Sequence, residues 1–119
     1  MTLSLECGRT ELRRGHIFRL PENYDLGPGN GPVDVMVYDP QESGCGLGVI
    51  VVSGYKSGLI WHIFPKESAR ENAICIDMDW LKIHWDVWFA YQWNDRMRVI
   101  DIARTEILEW DHRMIVETP

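Results

Sequence analysis

The stretch that most constrains what this chain can fold into is residues 47–68, LGVIVVSGYKSGLIWHIFPKES. Two apolar runs, 47–52 and 59–64, flank a polar segment, 53–58, that contains Gly54 and Gly58. Runs of β-branched and aromatic residues around such a break predict two antiparallel strands and their turn. In the first run Val49 and Val51 point one way and Ile50 and Val52 the other. In the second, Leu59, Trp61 and Ile63 alternate with Ile60, His62 and Phe64. Both faces are apolar, so the hairpin is expected at the centre of a sheet, covered on both sides.

The remaining segments extend or cover this hairpin. Residues 1–11 give little signal and suit an edge. Residues 14–20 read as a strand with His16 and Phe18 on one face and Ile17 and Arg19 on the other. The run PENYDLGPGNGP, 21–32, excludes helix and interior strand. Residues 33–38 alternate Val33, Val35 and Val37 with Asp34, Met36 and Tyr38, a strand with one core face. After a turn-rich connection, 40–46, and the hairpin, residues 73–76 suit a short strand, and Asp77 or Asp79 suits a helix N-cap. The periodicity predicts one helix over 80–91. Trp80, Ile83, His84, Val87, Trp88 and Tyr91 form its apolar stripe, which Leu81, Trp85 and Phe89 widen; Lys82 and Asp86 are its wet side. Further strands are expected at 97–102 and 113–117, and 105–110 is ambiguous. The chain should therefore be a single α+β domain over 1–119. Its expected core is a twisted antiparallel sheet of about five or six strands, with one principal helix packed on one face.

Composition narrows the function. The cysteines, Cys7, Cys45 and Cys75, are odd in number and far apart, which suits free thiols in a reducing cytoplasm. The N-terminus lacks a secretory pattern, and no apolar run approaches a membrane span. A cytoplasmic protein is the expectation. The net charge is −6, and between Leu20 and Tyr55 there is no Lys or Arg. Glu22, Asp25, Asp34, Asp39 and Glu42 fall in that span. Phosphate neutralisation needs the opposite balance, so nucleic acid is not the expected partner. An acidic face instead suits a basic protein partner.

Motifs for chemistry are weak. Ser53-Gly54-Tyr55-Lys56 matches S-x-x-K and Lys56-Ser57-Gly58 resembles K-[ST]-G, but acyl-serine enzymes draw these elements from distant segments. Here they share one lysine inside one turn, and turn geometry is the simpler reading. His16, His62, His84 and His112 show no metal-ligand spacing, and no cofactor motif is present. Six tryptophans are many for this length. Those at helical spacing are expected in the core, with Trp93 the leading exposed candidate.

Several segments together resemble an immunity-protein family of bacterial polymorphic toxin and contact-dependent toxin–immunity systems. They are GHIFRL, GPGNGPVDVMVYDP, SGYKSGLI with the following PKES, and W-L-x-x-x-W-x-x-W leading to Tyr91. The resemblance runs in order over residues 15–99. It implies a small cytoplasmic antidote encoded beside a toxin, acting by stoichiometric binding without catalysis or cofactor. It transfers no site residues. From the residues themselves, the expected toxin-binding set is Glu22, Asp25, Asp34, Asp39, Glu42, Tyr55, Lys56 and Trp93. Two alternatives stay open at this point: a tryptophan-rich carbohydrate- or peptide-binding module, and a small hydrolase using His62 or His16 with a nearby carboxylate.

Overall fold

A computed structural model describes residues 2–4, 11–22, 32–54, 56–71, 73–93 and 95–108 of the 119-residue chain, with the backbone alone at 2–4 and 93. In chain order the strands are β1 (Thr2–Ser4), β2 (Glu11–Leu12), β3 (Ile17–Leu20), β4 (Val33–Tyr38), β5 (Cys45–Val51) and β6 (Ile60–Pro65). A 3-10 turn, Lys66–Ser68, precedes β7 (Ile76–Asp77), α1 (Met78–Ile83) and α2 (Trp85–Trp88). Strands β8 (Ala90–Trp93) and β9 (Arg96–Val99), a second 3-10 turn and β10 (Glu106–Leu108) follow. Six strands form one antiparallel sheet in the order β1-β10-β3-β4-β5-β6. Two small ribbons, β2 with β7 and β8 with β9, stand apart from it. The expected α+β architecture with a sheet of five or six strands is what the chain forms.

Strand alternation places the core. Phe18, Val35, Val37, Val49, Val51, Phe64 and Ile107 all point to one face and are buried. Met78, Leu81, Trp85 and Phe89 from the helical segment join the same cluster. The residue that anchors the helical layer is Trp85. Its indole Nε1 donates to the Ile100 carbonyl at 2.7 Å, and its ring stacks on Phe89 with centroids 3.8 Å apart. Each polar group of that ring is thus satisfied while its faces pack, as burial of an indole requires.

Three expectations are corrected. The helix does not run over 80–91: it is two short helices with a break at His84 (φ −105°, ψ 12°), and Tyr91 lies in β8. At the break the His84 Nδ1–H competes for the Trp80 carbonyl (2.8 Å) that the His84 backbone N–H also uses (3.0 Å). Local side-chain bonding of this kind draws the backbone away from regular helix. The buried stripe is also displaced. Leu81, Trp85 and Phe89 are inside, whereas Ile83 and Val87 are exposed and Trp80 and Trp88 are half-buried. Finally, the hairpin is not central. Among the described residues strand β6 is the sheet's last, and Ile60 on its second apolar face is 52% exposed.

Other expectations hold. Residues 33–38 form β4, Asp77 caps α1 by accepting the Asp79 N–H, and Gly54 and Gly58 adopt positive φ. The ambiguous segment 105–110 contributes β10, which enters the sheet between β1 and β3. The strand expected at 113–117 lies outside the described residues. Among the described residues no helix is long and apolar enough to cross a membrane.

Candidate functional site

The sequence-derived acids do not gather in one place. Asp34 lies near the start of β4 and faces outward, where Arg19 on β3 donates two hydrogen bonds to its carboxylate, both 2.9 Å. This bidentate pair, which also raises the Arg19 pKa, offsets most of Asp34's charge locally. Asp39 follows the far end of β4, and its carboxylate accepts the Gln41 N–H at 2.8 Å. Five residues of strand at about 3.3 Å each separate the two carboxylates by roughly 17 Å. Glu22 and Glu42 are exposed, Glu22 just beyond β3 and Glu42 beside Asp39. Lys56 sits in the β5–β6 turn. Asp25 and Tyr55 lie outside the described residues, as does the side chain of Trp93, whose backbone ends β8.

Asp39 and Glu42 do meet a concavity. A cleft of about 640 Å³ has them on its lining with Lys66, Arg70, Cys45 and Ile74. The pairing of Cys45 with Pro65 brings the 39–47 and 66–75 segments together there. Nothing in either segment alone signals this cleft; it is a product of strand register. Cys45 and Cys75 are free thiols. Burial pushes the Cys75 thiol pKa up, so it is the less reactive form of the group.

The hydroxyls of the S-x-x-K turn hold the backbone together. Ser53 Oγ accepts the Asp34 N–H at 2.9 Å, and Ser57 Oγ donates to the Gly54 carbonyl at 2.7 Å. His62 lies in an aromatic setting, edge-on to Trp88 (5.6 Å) and against Trp61 (4.5 Å). Its Nε2 is buried without a hydrogen-bond partner, and burial holds the ring's pKa below the usual imidazole value, the Trp88 carbonyl pulling weakly the other way. Among the described residues no group of three or more His, Cys, Asp or Glu could hold a metal ion.

The sheet face opposite the helices carries a further set of apolar side chains. Register aligns Leu108, Ile17, Met36, Ile50 and Ile60 in one row across β10, β3, β4, β5 and β6. Ile63, opposite Gly48, extends the row along β6. A bulge at Trp61 lets Ile60 and Ile63 both face outward while Trp61 and His62 turn towards the helices. The first four are half-buried, and Ile60 and Ile63 are 52% and 39% exposed. Sequence reasoning expected cover over the hairpin residues of this row, Ile50, Ile60 and Ile63, and the described residues leave Ile60 and Ile63 exposed; Met36 it had placed opposite the core face of its strand.

Among the described residues an apolar sheet face thus lies beside solvated acids, and the hydroxyls of the one acyl-enzyme-like motif bond to the backbone. In the comparison with known protein families, residues 5–100 match the family model described as Immunity protein 45. The match covers most of the chain, which therefore belongs to the Immunity protein 45 family. No curated protein and no solved structure gave a match.

Proposed function

We propose that this protein neutralises a cognate bacterial toxin by tight stoichiometric binding, without catalysis, in the cytoplasm of the cell that makes it. Membership of an immunity-protein family is the observation that carries this function. Three features of the chain support it. Among the described residues apolar side chains are exposed on the sheet face opposite the helices, Glu22 and Glu42 are exposed acids, and the motif hydroxyls bond to the backbone. Binding occupies the toxin's active site or holds it in an inactive shape. Glu22, Asp25, Asp39 and Glu42 steer the approach, Tyr55, Lys56 and Trp93 add contacts, and Asp34 acts mainly through Arg19.

Co-expression tests it. Cells producing the toxin domain encoded beside this gene should survive only when the intact chain is present, and the two proteins should co-purify. Protection without a complex would contradict binding as the mechanism, and a complex without protection would contradict neutralisation.

A further inference from the structure

Strand β6 and the two short helices meet through aromatic rings, and a titratable group sits among them. His62 lies against Trp61 (4.5 Å), meets Trp88 edge-on (5.6 Å) and is 6.4 Å from Phe64. Its ring also bonds the backbone carbonyl of Trp88, the last residue of α2. That bond belongs to Nδ1, because Nε2 is buried with no hydrogen-bond partner among the described residues. A carbonyl only accepts, so in the neutral ring the proton is on Nδ1 and the lone pair on Nε2. The donor is satisfied, and the lone pair is enclosed by rings.

A second proton upsets this balance. It places a charged N–H at Nε2, where no acceptor is in reach. Cation–π attraction to Trp61 offsets part of that cost but supplies no oxygen for the new donor. Burial and the Trp88 carbonyl alone govern the ring's titration, and no charged side chain acts on it. Strand β5, which pairs with β6 at Val49 and His62, titrates only at Cys45, at its start. On the helices Asp79, Lys82 and Asp86 are exposed, and His84 is linked to His62 through the Trp80 and Trp88 rings. Strands β8 and β9 bring Tyr91, half-buried, and Arg96 and Arg98, both exposed. Relief must therefore come from water reaching Nε2, and for that a ring has to move. Phe64 is fully buried, and Trp61 is fixed beside His62 in the strand. Trp88 is held least. It is half-buried on a four-residue helix between the break at His84 and a non-helical Phe89 (φ −106°, ψ 59°).

We propose that His62 is a pH-sensitive latch on the helical layer: when it takes a second proton, Trp88 swings out of the aromatic cluster and α2 loosens, while the sheet stays folded. Burial lowers the pKa of the ring, which puts the event below the ordinary value of 6.5. Trp85, bonded to the Ile100 carbonyl, and Phe89, stacked on it, keep the rest of the layer seated. The opening is therefore local and reversible. It goes beyond the neutralisation reading and does not depend on it.

The experiment follows the full chain by NMR as pH falls from about 7.5 to about 4, with hydrogen exchange corrected for its intrinsic pH dependence. The His62 ring and Trp88 indole signals should shift with one midpoint, below 6.5. Across that midpoint the protection of residues 85–89 should fall about tenfold or more, while that of β4 and β5 stays within about twofold. His62→Gln carries a neutral amide that can still donate to the Trp88 carbonyl, and it should remove both responses. His84→Gln should keep them. A Trp88 signal that stays flat while His62 titrates would overturn the latch, and so would a His62 ring that stays neutral down to pH about 4. Responses that persist in His62→Gln, or vanish in His84→Gln, would overturn it as well. Protection lost equally from β4 and β5 would make the event global unfolding, which also contradicts a latch. Should His62→Gln fail to fold, the wild-type midpoints and protection decide alone.

Discussion

At the scale of single residues, Trp85 does what the periodic pattern assigned to Trp88. It is 4% exposed, hydrogen-bonded and stacked, whereas Trp88 is half-buried against Phe64 and His62. Trp85→Ala should cost on the order of 3–5 kcal/mol, and Trp88→Ala clearly less, in urea unfolding at pH 7. Equal losses would show that the aromatic layer behaves as one unit. His62 sets a pH dependence. Its pKa is lowered in the fold because burial disfavours the charged ring, so the unfolded chain binds a proton first as pH drops. Stability is therefore complete above the ordinary value of 6.5, falls as pH passes below it, and levels once the folded ring protonates as well. Unfolding curves at pH 7.5 and 5.5 should separate for wild type and separate less for His62→Leu. An unchanged separation would place the titrating group elsewhere.

At the scale of elements, the β5–β6 hairpin depends on a close approach that only glycine allows. A Cβ on Gly48 would sit 2.6 Å from the His62 carbonyl and 2.7 Å from the Tyr38 ring. Gly48→Ala must push β6 away from β5 and should destabilise by roughly 1–3 kcal/mol, read from the denaturation midpoint. A midpoint equal to wild type would mean the bulged register yields without cost. The hairpin also shows what the sequence could and could not reveal. Alternation located the strands of β4, β5 and β6 well, because period-two patterning is written into consecutive residues. It could not tell that β6 ends the sheet, since an apolar face looks the same whether a helix or solvent lies over it. The helix is a similar case. Its existence and its Asp77 cap were legible, but two overlapping stripes fitted the period, and the His84–Trp80 bond that breaks it depends on a rotamer. Of the candidate site, the acids were visible one by one. Their division between the two ends of β4, and the loss of Asp34 to Arg19, arise from pairing between strands.

At the scale of the whole molecule, the described residues join a core on one side of the sheet to apolar side chains on the other and to exposed acids, Glu22 and Glu42 among them. If those acids steer a basic toxin, as proposed, they should act on the rate of association. Charge reversal at Asp39 and Glu42 should slow association with the toxin at low salt, and the difference should shrink as ionic strength rises. Reversal at Asp34 should have its main effect on stability, since it removes the partner of Arg19. Stopped-flow association over a salt series distinguishes these outcomes, and equal on-rates at low salt would remove steering from the account. The central claim is that one molecule of this protein silences one molecule of toxin by staying bound to it. The direct measurement is a titration of toxin activity at a fixed toxin concentration far above the dissociation constant. Activity should fall linearly and reach zero at one equivalent, and dilution with a competing inactive toxin should restore it. Complete inactivation at a small fraction of an equivalent, or inactivation that persists after the two proteins are separated, would contradict the account.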